Sequence, residues 1–327
     1  MVTSTLAIIL VVLITIAVLA VILPSRRRLL ATEEYDHPGL ARYRAISAAW
    51  RALGACAGVV VGGLLIITQS AWYGRGLGAL FAPIMLGLAL LVAIVVGEFF
   101  ARGGLRAHDA KDPEAASAPK PGFGDILPAR LLAAVAGVTV LLFALLAAAW
   151  MTGSPDGRGR LGRSLHVPSP DGFGGATSGP WPGQFYGVWA YPLALVLIAG
   201  LVLALLVVRM HRRVAGDPDL AGADAAARRS QAEALVGAAG LALSLLSLGV
   251  AMTMAFALFD VTQPSSLGHT PGIGYNLAAW ACVLAAVASA AVTVMSLAAL
   301  ILPGSGATRR YRAVSRETDT RVVEPVG

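Results

Sequence analysis

Charged side chains are scarce in this sequence, and none lies in the middle of a long apolar run. Of the 327 residues, 13% are charged and 57% are hydrophobic, and the mean hydropathy is +0.74. A soluble core does not need this excess of apolar residues, whereas a lipid bilayer is a natural solvent for it. Proton relays and ion-coupled carriers normally hold ionisable groups at membrane depth, so the missing charges disfavour a proton-driven carrier.

Cysteine, lysine and histidine are also rare, which excludes several chemistries. Cys56 and Cys282 both lie inside apolar runs, so no disulfide framework or zinc site is predicted. All histidines and lysines lie outside these runs, which excludes haem ligation within a bundle and a retinal Schiff base in the last run. Walker loops, nucleophile elbows and His-Glu-x-x-His are missing too. We therefore predict no enzyme activity, no cofactor and no metal site.

Long apolar runs are what the sequence does contain. Runs of about 20 residues suit membrane-crossing helices, whereas a barrel would need strands of about 10 residues with alternating polarity. We predict an all-α, polytopic transmembrane bundle within residues 1–302. Its spans, about seven in number, are expected near residues 6–23, 52–68, 79–100, 131–151, 188–208, 235–259 and 277–302. The charged tail at 303–327 lacks a hydrophobic period and is predicted to be a disordered cytoplasmic segment.

The basic residues indicate how these spans are oriented. With the N-terminus outside, 21 of the 25 Lys and Arg residues fall on cytoplasmic segments, and only Arg75, Arg158, Arg160 and Arg163 fall outside. This asymmetry predicts an N-terminus outside and a C-terminus in the cytoplasm. The first run is followed by Arg26 to Arg28 and preceded by no basic residue, which is the reverse of a cleaved signal peptide. It is therefore predicted to be a retained anchor.

The other six runs form three predicted helical hairpins, each entered through a polar linker that contains acidic residues and a proline. Related hairpins would be internal repeats, which are common in transporters, although any three hairpins share polar linkers and turns. The stretch from Asp224 to Glu233 is expected to extend the sixth span as a polar helix.

Small residues mark one helix face in the second span. Gly54, Gly58 and Gly62 are spaced so that another backbone can approach closely, which predicts helix packing inside the chain or, alternatively, a homodimer seam. Glu98 lies near the cytoplasmic end of the third span. It is interpreted as an interfacial residue, with a gate or ion ligand as the alternative.

Small polar side chains within other spans are candidates for lining a solute cavity, although such residues more often form hydrogen bonds between helices. These candidates are Thr139, Ser244, Ser247, Ser289 and Thr293.

The longest predicted outer segment, 153–186, is rich in glycine and proline and is expected to be a surface loop whose aromatic residues rest at the membrane interface. Five side chains in the outer loops offer oxygen and nitrogen atoms for a metal, but their spacing is not diagnostic of one. These are Asp156, His166, Asp171, Asp260 and His269.

The hypothesis that best fits these features is a transport-related integral membrane protein, either a solute permease or the membrane partner of a transporter. A non-catalytic scaffold, sensor or accessory subunit is the alternative. The expected partners are the lipid bilayer and a homo-oligomer or membrane protein; nucleic acid is not expected, because arginines cluster beside the apolar runs. Richness in Ala, Gly and Arg with only two lysines favours a bacterial plasma membrane.

Overall fold

The computed structural model describes residues 38–72, 77–106, 127–168, 175–210, 218–262 and 273–301. Each of six long helices in these ranges contains a stretch long and apolar enough to cross a membrane, which indicates a membrane-embedded protein. The helices are α1 (Pro38–Trp72), α2 (Gly78–Arg106), α3 (Ala129–Thr152), α4 (Gln184–Met210), α5 (Pro218–Val261) and α6 (Ile273–Ile301). The predicted first span and the tail at 303–327 lie outside the described residues.

Helix α5 is the centre of the bundle. It contacts α2, α3, α4 and α6, and 67% of its apolar stretch is buried, against 17% for α1. The pairs α1–α2 and α5–α6 pack closely along their lengths. Helix α3 instead packs chiefly on α5, and α4 packs on α2 and α5. The two helices of the middle predicted hairpin therefore contact the central helix more than they contact each other.

The outer surface of the bundle is apolar, as a bilayer requires. Large side chains such as Leu203 on α4 and Leu284 on α6 are exposed, while the interior around α5 is built from small residues such as Ala238 and Ala242. Small interior residues let helices approach closely. In lipid this close packing holds helices together, because the hydrophobic effect does not drive their association there.

Two helices begin well before their predicted spans. Helix α1 starts at Pro38 and α5 at Pro218, because the polar linker residues continue the helix beyond the apolar stretch. The expected polar extension from Asp224 to Glu233 is therefore present within α5.

The all-α prediction needs one correction, because a small antiparallel sheet follows α3. Its strands are β1 (Gly153–Ser154), β2 (Ser164–Pro168) and β3 (Gly175–Ser178), in the order β1-β2-β3. Leu165 pairs with Gly153 and Ser178, and Val167 pairs with Ala176. The alternating residues Leu165, Val167 and Ala176 are buried, and the sheet packs on α5. Much of the predicted surface loop is thus folded.

The sheet defines two ends of the bundle. At the sheet end, α3 finishes and α4 begins; the antiparallel contacts of α5 with α2 and α6 show that α2 and α6 also begin there. The opposite end, where α1 and α5 begin and α2 finishes, is called the cluster end below, after the polar side chains that it buries.

Candidate functional site

A group of buried polar side chains lies at the cluster end, between α1, α2 and α5. Its members, here called the Glu98 cluster, are Tyr43, Ser47, Glu98, Arg228 and Gln231, and all are buried. Only 1% of the Glu98 surface is exposed. Burying a polar group costs free energy unless the group is hydrogen-bonded. The stability of the cluster therefore depends on the hydrogen bonds that its side chains make.

One chain of hydrogen bonds joins the three helices. The Tyr43 hydroxyl on α1 donates to Glu98 Oε2 on α2 over 2.6 Å, a length typical of hydroxyl donors to carboxylates. On α5, Gln231 Nε2 donates to Tyr43 Oη and to Ser47 Oγ, each over 3.1 Å. Separating α1 from either neighbour at this end therefore breaks hydrogen bonds that are shielded from water.

The local sequence explains why α1 and α2 approach closely here. A Cβ at Gly97 would lie only 2.6 Å from the Cβ of Trp50, so the glycine makes room for the tryptophan. The Trp50 ring stacks on Phe100 with the centroids 5.3 Å apart. Glycine beside a tryptophan thus fixes the position of Glu98 against α1.

Two arginines at the Glu98 cluster donate hydrogen bonds to backbone carbonyl groups. Arg228 is buried and its Nη1 donates to the Val208 carbonyl near the end of α4 over 3.5 Å. Arg51 Nε donates to the Ser47 carbonyl over 3.1 Å. The carbonyl oxygen Oε1 of Gln231 has no hydrogen-bond partner among the described residues, so the cluster offers one buried acceptor.

The sequence predicts Glu98 to be interfacial, with a gate or an ion ligand as the alternative. It lies in the last turn of the apolar stretch Leu80–Ala101 and points into the protein, whereas the neighbouring Phe99 and Phe100 are exposed. The carboxyl is therefore near the end of a span but enclosed by helices, which is an environment in which ionisable residues usually have a function.

The structure brings four of the predicted cavity residues together between α5 and α6. Thr293 Oγ1 donates to Ser244 Oγ over 2.8 Å, and Ser289 Oγ donates to Ser247 Oγ over 2.9 Å. All four are buried, and together they form a seam that joins the two helices. Thr139 lies apart on α3, where its hydroxyl donates to the Val135 carbonyl over 2.7 Å.

The glycine face of α1 lies against α2 within the same chain. A Cβ at Gly54 would lie 2.5 Å from Ala93 Cβ, and one at Gly58 would lie 2.7 Å from Leu86 Cα. A Cβ at Gly62 would lie 3.2 Å from Ala82 Cβ. These three glycines permit the close approach of α1 and α2.

At the sheet end, Trp181 is buried in the protein, and the prediction that it rests at the membrane interface is wrong. Its indole N–H donates to the Ala149 carbonyl at the end of α3 over 2.9 Å. Its backbone N–H donates to the Arg163 carbonyl over 2.8 Å, which ties the end of the loop to the sheet. The tryptophan therefore holds the sheet against the bundle.

The candidate metal ligands do not converge in the part of the chain that the structure describes. His166 Nδ1 lies 2.9 Å from Thr177 Oγ1 on the exposed side of the sheet, and Asp156 bonds to Arg158 and Arg160 instead. No group of three His, Cys, Asp or Glu side chains occurs among the described residues. Asp171 and His269 lie outside them.

Asp156 organises the turn before β2 and makes it sensitive to acid. Its carboxylate accepts the backbone N–H of Arg160 over 2.9 Å and that of Arg158 over 3.0 Å. The Arg160 backbone N–H, the Arg158 backbone N–H and the Arg160 guanidinium hold the pKa of Asp156 below its ordinary value of 3.8.

Because the folded pKa is lowered, the stabilisation by Asp156 is complete above pH 3.8 and disappears as the pH falls through the folded value. We expect Asp156→Asn to leave hydrogen exchange in residues 153–168 unchanged below the folded pKa of Asp156 and to make it faster at neutral pH. Equal exchange at neutral pH would contradict the role of this carboxylate.

Sequence reasoning assigned no site role to four members of the cluster. It placed Tyr43 and Ser47 in a linker, and Arg228 and Gln231 in the polar extension of the sixth span. A usable signal existed, because Tyr43 and Ser47 continue the Gly54–Gly58–Gly62 face toward the start of α1 at helical spacing. Their partners on α2 and α5 are too distant in sequence for any local pattern to identify.

No family model matches the chain, and no curated protein or solved structure matches it either. The functional argument therefore rests on the chemistry of the Glu98 cluster and of the seam.

Proposed function

We propose that the protein is a transport-related integral membrane protein of the bacterial plasma membrane, with seven spans, its N-terminus outside and its C-terminus in the cytoplasm. The segment 6–23 supplies the seventh span. The cytoplasmic side is then the cluster end, which carries Arg51, Arg209 and Arg228, and the sheet lies outside. The support is the distribution of basic residues, of which 21 of 25 fall on the cytoplasmic side in this arrangement.

The Glu98 cluster is the observation that carries the transport proposal. The remaining contacts between the helices are mostly apolar, and apolar packing alone would hold a static bundle together. A carboxyl, a phenol and an amide enclosed near the end of three spans are costly to place there and are typical of transport pathways. We assign to the cluster the role of a cytoplasmic gate, closed in this conformation.

The gate can open at modest cost because, among the described residues, α1 has few contacts with α5. Helix α1 packs along α2, and Gln231 on α5 donates two hydrogen bonds to α1. Hydrogen bonds between helices in a membrane contribute about 0.6 kcal/mol each on average. Displacing the start of α1 from α5 would break these two hydrogen bonds at a cost of about 1.2 kcal/mol and would open the Glu98 cluster between α1 and α5.

The second candidate is a non-catalytic scaffold, sensor or accessory subunit. The seam favours it, because Ser244, Ser247 and Ser289 are fully buried and bonded in a way that fastens α5 to α6. A scaffold would keep both the seam and the Glu98 cluster closed at all times.

Solute flux through proteoliposomes distinguishes the two functions. Vesicles containing the full chain are loaded with K⁺, a neutral amino acid or a sugar, and efflux is compared with that of protein-free vesicles. Tyr43→Phe removes two gate hydrogen bonds, one to Glu98 and one from Gln231. At about 0.6 kcal/mol each they are worth about 1.2 kcal/mol together, so the variant should raise the efflux of the transported class by about sevenfold. Tyr191→Phe is the matched control, because it removes a hydroxyl that donates to the Phe143 carbonyl at the other end of the bundle.

Efflux that rises in Tyr43→Phe and not in Tyr191→Phe supports a gated transport protein. Efflux equal to that of protein-free vesicles for every solute, in both variants, would contradict the proposal and favour the scaffold.

A further inference from the structure

Helix α1 leaves most of its surface uncovered by the described part of the chain. The side that carries Gly54 and Gly58 contacts α2, and the opposite side carries Leu53, Cys56 and Val60. Leu53 is 57% exposed and Val60 is 60% exposed, and Cys56 is exposed as well. Among the six described helices, α1 has the smallest share of its apolar stretch buried.

The outward face has the spacing of a helix-packing seam. Ala49, Leu53, Cys56, Val60 and Gly63 follow one another at alternating steps of four and three residues, which is the heptad spacing of two closely packed helices. Small residues alternate with large ones along this line. A Cβ at Gly63 would meet nothing within 4 Å, so the small positions leave gaps into which the side chains of another helix fit.

We infer that the segment 6–23 of the same chain packs antiparallel along this outward face of α1, an inference that rests on the proposed seven-span arrangement. The segment has 18 residues, all Ile, Leu, Val or Ala except Thr15, and so presents bulky side chains to the gaps at Ala49, Cys56 and Gly63. Only 14 residues separate it from Pro38, which limits the distance between the two to about 50 Å. Segments that are consecutive in sequence are usually neighbours in space.

The native Cys56 allows a direct test by disulfide cross-linking in membranes. In a Cys282→Ala background, single cysteines replace residues 9–17 one at a time, and a protease site is inserted between residues 24 and 37. The membranes are oxidised with copper phenanthroline and then treated with the protease, so that only a disulfide keeps the two fragments joined. A disulfide needs Cα atoms about 4.4–6.8 Å apart. We expect the two fragments to stay joined for positions three or four residues apart on one face, and to separate for the positions between them.

The control variant carries Cys56→Ser and keeps Cys282, which is buried on α6. The same scan should give no joined fragments in this background. Thr3→Cys labelled with a membrane-impermeant thiol reagent reports separately on whether the first span places the N-terminus outside.

Three outcomes would overturn the inference. Disulfide-linked dimers through Cys56 in the unscanned protein would identify a second copy as the occupant of the face. Separated fragments at every position, with Thr3→Cys labelled from outside, would place the first span elsewhere and leave the seven-span arrangement intact. Labelling of Thr3→Cys only after permeabilisation would reject that arrangement itself.

Discussion

Glu98→Ala is expected to lower the free energy of unfolding by about 2 kcal/mol, because a buried donor left without its acceptor costs about 1–3 kcal/mol. The Tyr43 hydroxyl, which donates to Glu98 Oε2 over 2.6 Å, would lose that acceptor inside the bundle. The change can be measured by titrating the protein with SDS in mixed micelles and following its far-UV circular dichroism.

Two variants serve as controls for Glu98→Ala. Glu98→Gln keeps an oxygen that accepts the Tyr43 hydroxyl and should cost less than half as much. Val92→Ala shortens an exposed side chain on the same helix and should have little effect on unfolding in micelles. If Glu98→Ala were no more destabilising than Val92→Ala, the carboxyl would not be an integral part of the cluster.

Gly58→Leu is expected to separate α1 from α2 and to lower the free energy of unfolding by about 3 kcal/mol, the upper part of the range for overpacked cores. A Cβ at this position would lie 2.7 Å from the Cα of Leu86. The atom that would have to move belongs to the backbone of α2, so a change of rotamer cannot relieve the clash. The same SDS titration measures the loss.

The matched control is Gly137→Leu on α3, where a Cβ would meet nothing within 4 Å. Leucine should be accepted there, because it also has a higher helix propensity than glycine. Equal losses from Gly58→Leu and Gly137→Leu would mean that the glycine face of α1 is not a close contact.

The spans were predictable from sequence because their determinant is local. A run of apolar residues about 20 long has to close its own backbone hydrogen bonds in lipid, so run length alone locates a helix. The ends were less predictable. The polar residues that begin α1 and α5 continue the helices beyond the lipid, and no hydrophobic run marks where they start.

The sheet and the Glu98 cluster were not predictable because their determinants are distant in sequence. Strands β2 and β3 are short, and one side of each is buried. That side is buried because Trp181 and α5 cover it. Tyr43 and Glu98 are 55 residues apart, and Tyr43 and Gln231 are 188 apart. The serines and threonines of the seam were recognised as candidates, yet only the packing of α5 on α6 shows that they bond to one another.

The orientation of the bundle determines whether the Glu98 cluster can serve as a cytoplasmic gate, and one labelling measurement tests it. Gly157 is exposed in the turn before β2, and a side chain added there would meet nothing within 4 Å. In a Cys56→Ser, Cys282→Ala background, Gly157→Cys in intact cells should react with a membrane-impermeant maleimide without permeabilisation. Reaction only after the cells are permeabilised would place the sheet in the cytoplasm, and the gate, the orientation and the seven-span arrangement would all be contradicted.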